Sequence, residues 1–379
     1  DVYKRQPIAT FRYLGEHRSY FPVMNTSGKS INGLRLPASH WNSSKTMPDY
    51  PRMFRLRQTM DRPRVEDVAS AVERALRALQ LGSKIRSGES VAVTAGSRGI
   101  ANIAIILRAI VAHLKSLGAE PFIVPAMGSH GGATAAGQLQ LLAQYGITES
   151  FCGCSIRSSM ETVIVCQAAE GFPIHFDRHA HGADHVFVCG RVKPHTRFVG
   201  DVESGLMKMM LIGLGKHAGA LVYHRAIQDY SVGHILRSVA HQVLAQGNIV
   251  AGLATVETAL DETAKIVAVA PEDFEVREAE LLRLARQWLP KLPFERADIL
   301  LIDEIGKDIS GAGLDTNVVG RKYLDHAPRD DEVPKIRHLV VRGLSQASGG
   351  NATGLGLAEF CRSEVLRDMD VHATRTNCL

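Results

Sequence analysis

The sequence predicts an α/β fold made of two domains, each with a mainly parallel sheet. The chain has 379 residues, of which 45% are hydrophobic and 22% charged, and this length exceeds the size at which one hydrophobic core grows efficiently. Short apolar runs alternate with longer amphipathic runs, a pattern typical of parallel strands connected by helices. Glycine-containing turns follow two of the short runs, at the strand ends where the ligands of such sheets collect.

The chain alternates between helix and strand from residue 65 onward. Val68, Val72 and Leu76 recur at helical spacing, whereas 91–94 is a short β-branched run. The predicted elements are a helix over 65–81, a strand over 91–94, a helix over 100–117, a strand over 122–125 and a helix beginning near Ala133, with Thr134 as its cap.

Further strands are predicted over 162–167, 185–188, 249–256 and 297–302, and a helix over 274–289 that ends at Pro290. Pro290 and Pro293 flank the best candidate for an interdomain connection, because proline ends helices. The predicted organisation is a poorly patterned segment over 1–46, an N-terminal cofactor-binding and catalytic domain over 47–290, and a C-terminal α/β domain over 294–379.

The net charge of +5 does not indicate nucleic-acid binding. Residues 1–46 hold seven basic and two acidic residues, which leaves 37 of each for the rest of the chain. The body of the protein is therefore neutral, without the basic stripe that a phosphate backbone requires. We also expect Met47 or Met53 to be the natural start, since helical patterning begins only after them.

Membrane insertion and a disulfide framework are not expected. No apolar run reaches the length that spans a bilayer, and the run at 20–23 is too short for a signal-peptide core. The six cysteines have no regular spacing, and the pair Cys152 and Cys154 lacks the second pair of a typical zinc site. A cytoplasmic location is the resulting expectation.

Two glycine-rich turns carry polar side chains at strand ends. Backbone N–H groups around Gly96 and Ser97, together with Arg98, suit a phosphate or carboxylate, although an ordinary tight turn is the alternative. In the second turn three glycines surround His130, which leaves the imidazole uncrowded and able to move protons. An exposed loop histidine is the alternative there.

The stretch from Val192 to Met210 holds further candidates. His195 follows a predicted strand, and Lys208 lies among apolar residues, where loss of hydration lowers an amine pKa and makes it nucleophilic. A lysine whose stem covers apolar surface is the alternative. His217 and His224 come next, and imidazole is a suitable nickel ligand.

The order and spacing of these residues resemble the nickel-dependent lactate racemase family, from about Arg55 onward. By that resemblance Arg98 is the essential arginine of the first turn, and His130 and His195 are the two catalytic histidines. Lys208 matches the lysine that forms a thioamide link to a pyridinium nucleotide. His224 fits the nickel-binding histidine better than His217 does.

The resemblance also implies a reaction. The cofactor is a nickel-pincer nucleotide, the nickel complex of pyridinium-3,5-bisthiocarboxylic acid mononucleotide, and Gly96 and Ser97 would help to bind it. One histidine removes the hydroxyl proton of a 2-hydroxy acid while the C2 hydride moves to the cofactor, and the other returns a proton from the opposite side. Arg98 and Lys307 would neutralise the substrate carboxylate. The active site would lie in the cleft between the domains, and cofactor-synthesis enzymes are implied partners.

The chain departs from the family pattern at several positions. Ala95 replaces an acidic residue, Gly131 replaces the arginine of Gly-Thr-His-Arg, and extra residues including Asp201 and Glu203 separate His195 from Lys208. We therefore expect a 2-hydroxy acid that is lactate or a larger or differently charged relative. The C-terminal domain is expected to be truncated relative to the family, so a substrate-covering aromatic residue is not assigned.

Two other functions are compatible with such a fold. One is a nicotinamide-dependent oxidoreductase, although the expected G-x-G-x-x-G is missing after the first strand. The other is a non-catalytic nucleotide-binding or sensory protein. The joint presence of His130, His195, Lys208 and His224 favours the racemase.

Overall fold

The computed structural model describes residues 10–11, 54–97, 99–323 and 328–378. The strands are Thr10–Phe11 (β1), Phe54–Arg55 (β2), Ser90–Ala95 (β3), Glu120–Pro125 (β4), Thr162–Gln167 (β5), Pro173–Asp177 (β6), His185–Arg191 (β7), Ile249–Glu257 (β8), Thr263–Val269 (β9), Arg296–Ile302 (β10), Lys335–Val341 (β11) and Phe360–Cys361 (β12). The α-helices are Val68–Arg77 (α1), Ile103–Ser116 (α2), Ala135–Gln144 (α3), Glu149–Cys152 (α4), Arg178–His181 (α5), Leu206–Lys208 (α6), Lys216–Asp229 (α7), Val232–Gln246 (α8), Phe274–Trp288 (α9), Thr316–Val319 (α10), Ser363–Asp368 (α11) and Val371–Cys378 (α12). A π-helical turn, Met209–Gly213, follows α6 directly.

The described residues belong to two compact units. The larger unit consists of residues 59–293 and 315–334. The smaller unit consists of the described parts of 1–58, 294–314 and 335–379. The segment 315–334, which lies between β10 and β11 in sequence, is therefore part of the larger unit.

The larger unit is built on a five-stranded sheet with the order β4-β3-β7-β8-β9. The first four strands are parallel, and β9 is antiparallel to β8. In the register, Val93 of β3 lies between Ile123 of β4 and Phe187 of β7. The predicted α/β class with a mainly parallel sheet is confirmed.

Both faces of this sheet are buried, as expected for parallel strands covered by helices. Alternate residues of β3 enter two hydrophobic clusters. Val91 and Val93 pack with α1 and α2, and Ala92 packs in the cluster that includes α8 and α9. Removing such side chains from water contributes about 1.5–3 kcal/mol for each large aliphatic residue, and this burial holds the strand ends in fixed positions.

The structure differs from the sequence prediction at four elements. The strand predicted over 162–167 exists, but it pairs with β6 in a separate antiparallel hairpin. The strands β6 and β9 were not predicted. The helix predicted from residue 100 begins at Ile103, because Asn102 immediately before it has a φ of 60°, outside the helical region.

The smaller unit contains the parallel sheet β10-β11-β12 and the antiparallel pair β1-β2. Leu300 of β10 lies beside Leu339 of β11 in the register, and both are buried. This unit also has the predicted α/β character. Within the described parts of the chain, no helix has the length and apolarity needed to cross a bilayer.

Candidate functional site

Three loops of the larger unit leave neighbouring strands at the same edge of the sheet. They follow β4, β3 and β7, which are adjacent in the sheet, and comprise residues 126–134, 96–102 and 192–204. Because parallel strands end together at one edge, the loops converge. His130 lies in the first loop, Gly96 and Ser97 in the second, and His195 in the third.

The element that carries Lys208 packs directly against these strand ends. Glycines allow the close approach: a Cβ on Gly190 would lie 2.9 Å from Met209 Cγ, and a Cβ on Gly213 would lie 2.9 Å from the carbonyl oxygen of Ala126. A Cβ on Gly96 would be 3.6 Å from Met209 Cε. The π-turn begins immediately after Lys208, and such turns are frequent at functional sites. Lys208 is thereby held beside the same edge as the two histidines.

His130 is held at its ring and at its main chain. Its Nδ1 hydrogen-bonds to the Ser97 hydroxyl, and its carbonyl oxygen accepts a bond from Gln138 Nε2 at 3.2 Å. Gln138 is fully buried and also donates to the carbonyl of Gly128 at 3.0 Å. The predicted cap of the next helix is confirmed, since Thr134 Oγ1 accepts the Gly137 N–H. Ser97, assigned to cofactor binding by resemblance, contacts the histidine in this structure.

His195 is fixed by its own loop. Its Nδ1 accepts the backbone N–H of Arg197 at 3.0 Å, and its ring stacks on Phe198 with centroids 4.0 Å apart. Lys208 Nζ lies 5.8 Å from the centroid of the same Phe198 ring and donates to Ser204 Oγ at 3.4 Å. Phe198 thus contacts both functional candidates, and its π face suits a nearby ammonium.

His224 lies on α7, the helix that follows the π-turn. Partial burial lowers the pKa of His224, and the positive charge of Lys208 lowers it further. The two side chains therefore interact electrostatically. This interaction favours the neutral form of the His224 imidazole, which is the form that binds a metal. His217, the competing candidate, lies on the same helix.

The structure does not test two of the predicted site residues. Arg98 lies outside the described residues. Lys307 lies in the turn that follows β10, in the smaller unit, with an exposed side chain. Their roles stay predictions, as do the catalytic and cofactor-binding roles assigned to the other residues. Within the described residues, no three His, Cys, Asp or Glu side chains are grouped so as to hold a metal ion.

A buried carboxyl group that sequence reasoning missed lies under Lys208. Glu278 of α9 is 1% exposed and accepts the Met207 N–H at 2.9 Å. A Cβ on Gly205 would lie 2.3 Å from the Glu278 carboxyl carbon, so any side chain there would force the Glu278 carboxyl group to move. Its position was readable, because Glu278 shares a helical face with Phe274, Leu281 and Leu282.

Glu278 should make stability depend on pH. Burial raises its pKa to about 7, against the opposing effects of two backbone N–H groups and Lys208. The folded protein then keeps a proton that the unfolded chain releases above its ordinary value of 4.5, so the free energy of unfolding falls as pH rises between these values. The difference in the free energy of unfolding between Glu278→Gln and the wild type should shift by roughly 2–3 kcal/mol in favour of the variant from pH 5 to pH 8. Chemical denaturation at both pH values measures this difference. A difference that does not vary with pH would contradict this assignment.

Two further side chains support the first turn. Glu257, at the end of β8, accepts the Ala101 N–H at 2.7 Å and forms a nearly buried ion pair with Arg191 at the end of β7. The ion pair and the Ala101 hydrogen bond thus connect the loop after β3 to the ends of β7 and β8. Neither residue stands in a recognisable motif, so sequence reasoning had no signal for them.

Comparison with known proteins identifies the family to which this arrangement belongs. Residues 46–233 match the family described as the lactate racemase N-terminal domain. No curated protein sequence matches the chain. Among solved structures, the lactate racemase apoprotein from Thermoanaerobacterium thermosaccharolyticum is similar, with a TM-score of 0.50 and 15% identity over 78% of this chain and 72% of that chain.

A crystal structure of a protein from Thermotoga maritima is also similar, with a TM-score of 0.50 and 12% identity over 75% of this chain and 72% of that chain. At these identities the structural likeness shows the fold alone. The sequence match over residues 46–233 shows the relationship itself. Residues 46–233 of this chain therefore belong to the lactate racemase N-terminal domain family.

Proposed function

We propose that this chain racemises or epimerises a 2-hydroxy acid, lactate or a relative of it, with a nickel-pincer nucleotide bound at Lys208 and His224. One observation carries the proposal. The Lys208 ammonium lies 5.8 Å from the centroid of the Phe198 ring on which His195 stacks, and its charge lowers the pKa of the His224 imidazole. Lys208 as the tether, His224 as the metal ligand and His195 as a proton carrier would thus lie close together.

The residues present fit that cofactor. Lys208 offers an amine that is only partly buried, and the lowered pKa of His224 favours an available lone pair. His224 would be the protein ligand of the nickel, and the nucleotide itself would supply the remaining donors. When bound, this group would supply a hydride acceptor and donor at the substrate C2.

The two histidines would carry the hydroxyl proton, and they are prepared differently. Because Nδ1 of His195 accepts a backbone N–H, its neutral ring holds the proton on Nε2, and the ring would return a proton to the substrate only from its imidazolium form. Nδ1 of His130 faces a hydroxyl that can either donate or accept, so this ring can start as the base. In the reverse direction the roles exchange, as a racemase requires.

The remaining assignments follow the family pattern. Arg98 and Lys307 would bind the substrate carboxylate, and the backbone at Gly96 would contribute to the nucleotide site. The enzymes that synthesise the cofactor are the partners that this function requires.

Intact-mass and nickel analysis of protein produced together with the cofactor-synthesis enzymes tests the proposal. We expect a covalent adduct and bound nickel in the wild type, and the loss of both in Lys208→Ala. Lys265→Ala, at an exposed lysine of β9, is the matched control and should keep both. A wild-type protein of unmodified mass would instead favour a nicotinamide-dependent oxidoreductase or a non-catalytic nucleotide-binding protein.

A further inference from the structure

The loop that carries His195 is closed at its base and held around a buried carboxylate. Lys193 and Ser204 form an antiparallel bridge, with the Lys193 N–H donating to the Ser204 carbonyl at 2.9 Å. After β7, the chain between these two residues passes His195 and Phe198 and returns at Glu203. The side chain of Glu203 is fully buried.

Glu203 accepts hydrogen bonds from two backbone N–H groups of its own loop. Its Oε2 accepts the N–H of His195, and its Oε1 accepts the N–H of Gly200 at 3.2 Å. These donors lie on either side of Phe198. The carboxylate therefore fixes both ends of the stretch that presents the His195 and Phe198 rings.

Two cations from distant parts of the chain compensate the buried charge. Arg286 of α9 donates to Oε1 at 2.6 Å and to the Gly200 carbonyl at 2.8 Å. Lys322 Nζ lies 3.5 Å from Oε2. Since an isolated buried carboxylate is strongly unfavourable, these two cations are what makes a carboxylate tolerable at this buried position.

The segment 315–322 binds the backbone carbonyl groups of the His195 loop. Asn317 Nδ2 donates to the carbonyl oxygen of His195 at 3.3 Å, and Thr316 donates to the carbonyl of Thr196. Lys322 Nζ donates to Asn317 Oδ1 at 2.8 Å and so joins this contact to Glu203. The N–H and the C=O of His195 are thus both held by side chains from outside its immediate turn.

We propose that Glu203 is a positioning residue that sets the place of the His195 imidazole through the His195 main chain. The expected effect on catalysis rests on the proposed function. The expected effect on the position of His195 applies equally to the protein without cofactor. A placement error of about 1 Å at a reacting group costs on the order of 100-fold in rate, which is the scale of effect expected here.

Glu203→Gln is the test variant, and Asp201→Asn is the matched control. Glutamine has the same shape, but its Nε2 cannot accept an N–H, and it leaves Arg286 and Lys322 without a counter-charge. Asp201 lies in the same loop, and its side chain is 88% exposed. The control therefore removes a carboxylate without disturbing the buried contacts.

In the unloaded protein we expect slow amide exchange at His195 in the wild type and in Asp201→Asn, and exchange at least about tenfold faster in Glu203→Gln. In the loaded enzyme we expect kcat to fall about 100-fold in Glu203→Gln, with KM within about threefold and the Lys208 adduct retained. A general loss of folding would instead lower the yield of adduct and the melting temperature.

Unchanged exchange at His195 in Glu203→Gln, or an equal loss of kcat in Asp201→Asn, would overturn the inference. If Glu203→Gln does not fold, the wild-type protein decides: rapid exchange of the His195 amide would show that Glu203 does not hold it. A wild type that folds with a protected His195 but never racemises any substrate would contradict the proposed function and not the contact.

Discussion

Replacing either His130 or His195 with glutamine is expected to reduce racemisation by about 100- to 10,000-fold, the contribution of a positioned acid or base. Glutamine keeps a polar side chain but cannot carry a proton through the reaction. Each histidine should be required in both directions, because inversion needs one proton carrier on each side of the substrate. Chiral separation of a panel of 2-hydroxy acids that includes lactate measures the effect.

The matched control is His217→Gln, since His217 is exposed on the helix that also carries His224. This variant should keep full activity and a normal nickel content. Both catalytic variants should keep the Lys208 adduct, because neither ring forms the tether. Turnover at the wild-type rate in His130→Gln or in His195→Gln would refute the role of that histidine.

Replacing Gly131 with alanine is expected to lower the free energy of unfolding by about 2–4 kcal/mol, the combined cost of a left-handed residue and of overpacking. Gly131 has a φ of +66°, and a Cβ there would lie 2.6 Å from the Gly137 carbonyl carbon and 2.7 Å from the Gln138 nitrogen. Both neighbours are backbone atoms and cannot move aside easily. Activity should fall as well, because the His130 turn would shift. Chemical denaturation and activity assays measure the two effects.

Gly132→Ala separates the two causes. Gly132 also has a left-handed φ, +65°, but a Cβ there would meet nothing within 4 Å. Its substitution should therefore cost only about 1–2 kcal/mol. Equal losses in the two variants would mean that the close packing against Gly137 is unimportant. By the same geometry, this conformation of the loop leaves no room for an arginine at position 131.

Much of the fold was predictable because buried parallel strands leave a strong local signal. The runs over 91–94, 122–125 and 249–256 are continuous and apolar, and each is a strand of the sheet. The hairpin β5-β6 and the antiparallel strand β9 were harder, since pairing direction depends on distant partners rather than on local composition. Helix starts shift where one residue adopts a left-handed conformation, as Asn102 does.

The candidate site was predictable only in its chemically distinctive residues. His130, His195, Lys208 and His224 stand out by residue type and order. Glu203 and Glu278 do not, because an acidic residue normally marks a solvated surface, and the apolar helical face around Glu278 was the one local signal of its burial. Their hydrogen bonds go to backbone N–H groups, which any sequence provides, so the pairing leaves no trace in local composition.

The assignment of residues 315–334 to the larger unit has a consequence for engineering. No single contiguous piece of the gene encodes that unit, because its last segment is encoded after strand β10 of the smaller unit. A truncation after Pro293 would delete Thr316 and Asn317, which donate to the carbonyls of Thr196 and His195, and one of the two cations beside Glu203. Chimaeras that exchange the larger unit with a relative must therefore transfer two separate stretches of coding sequence.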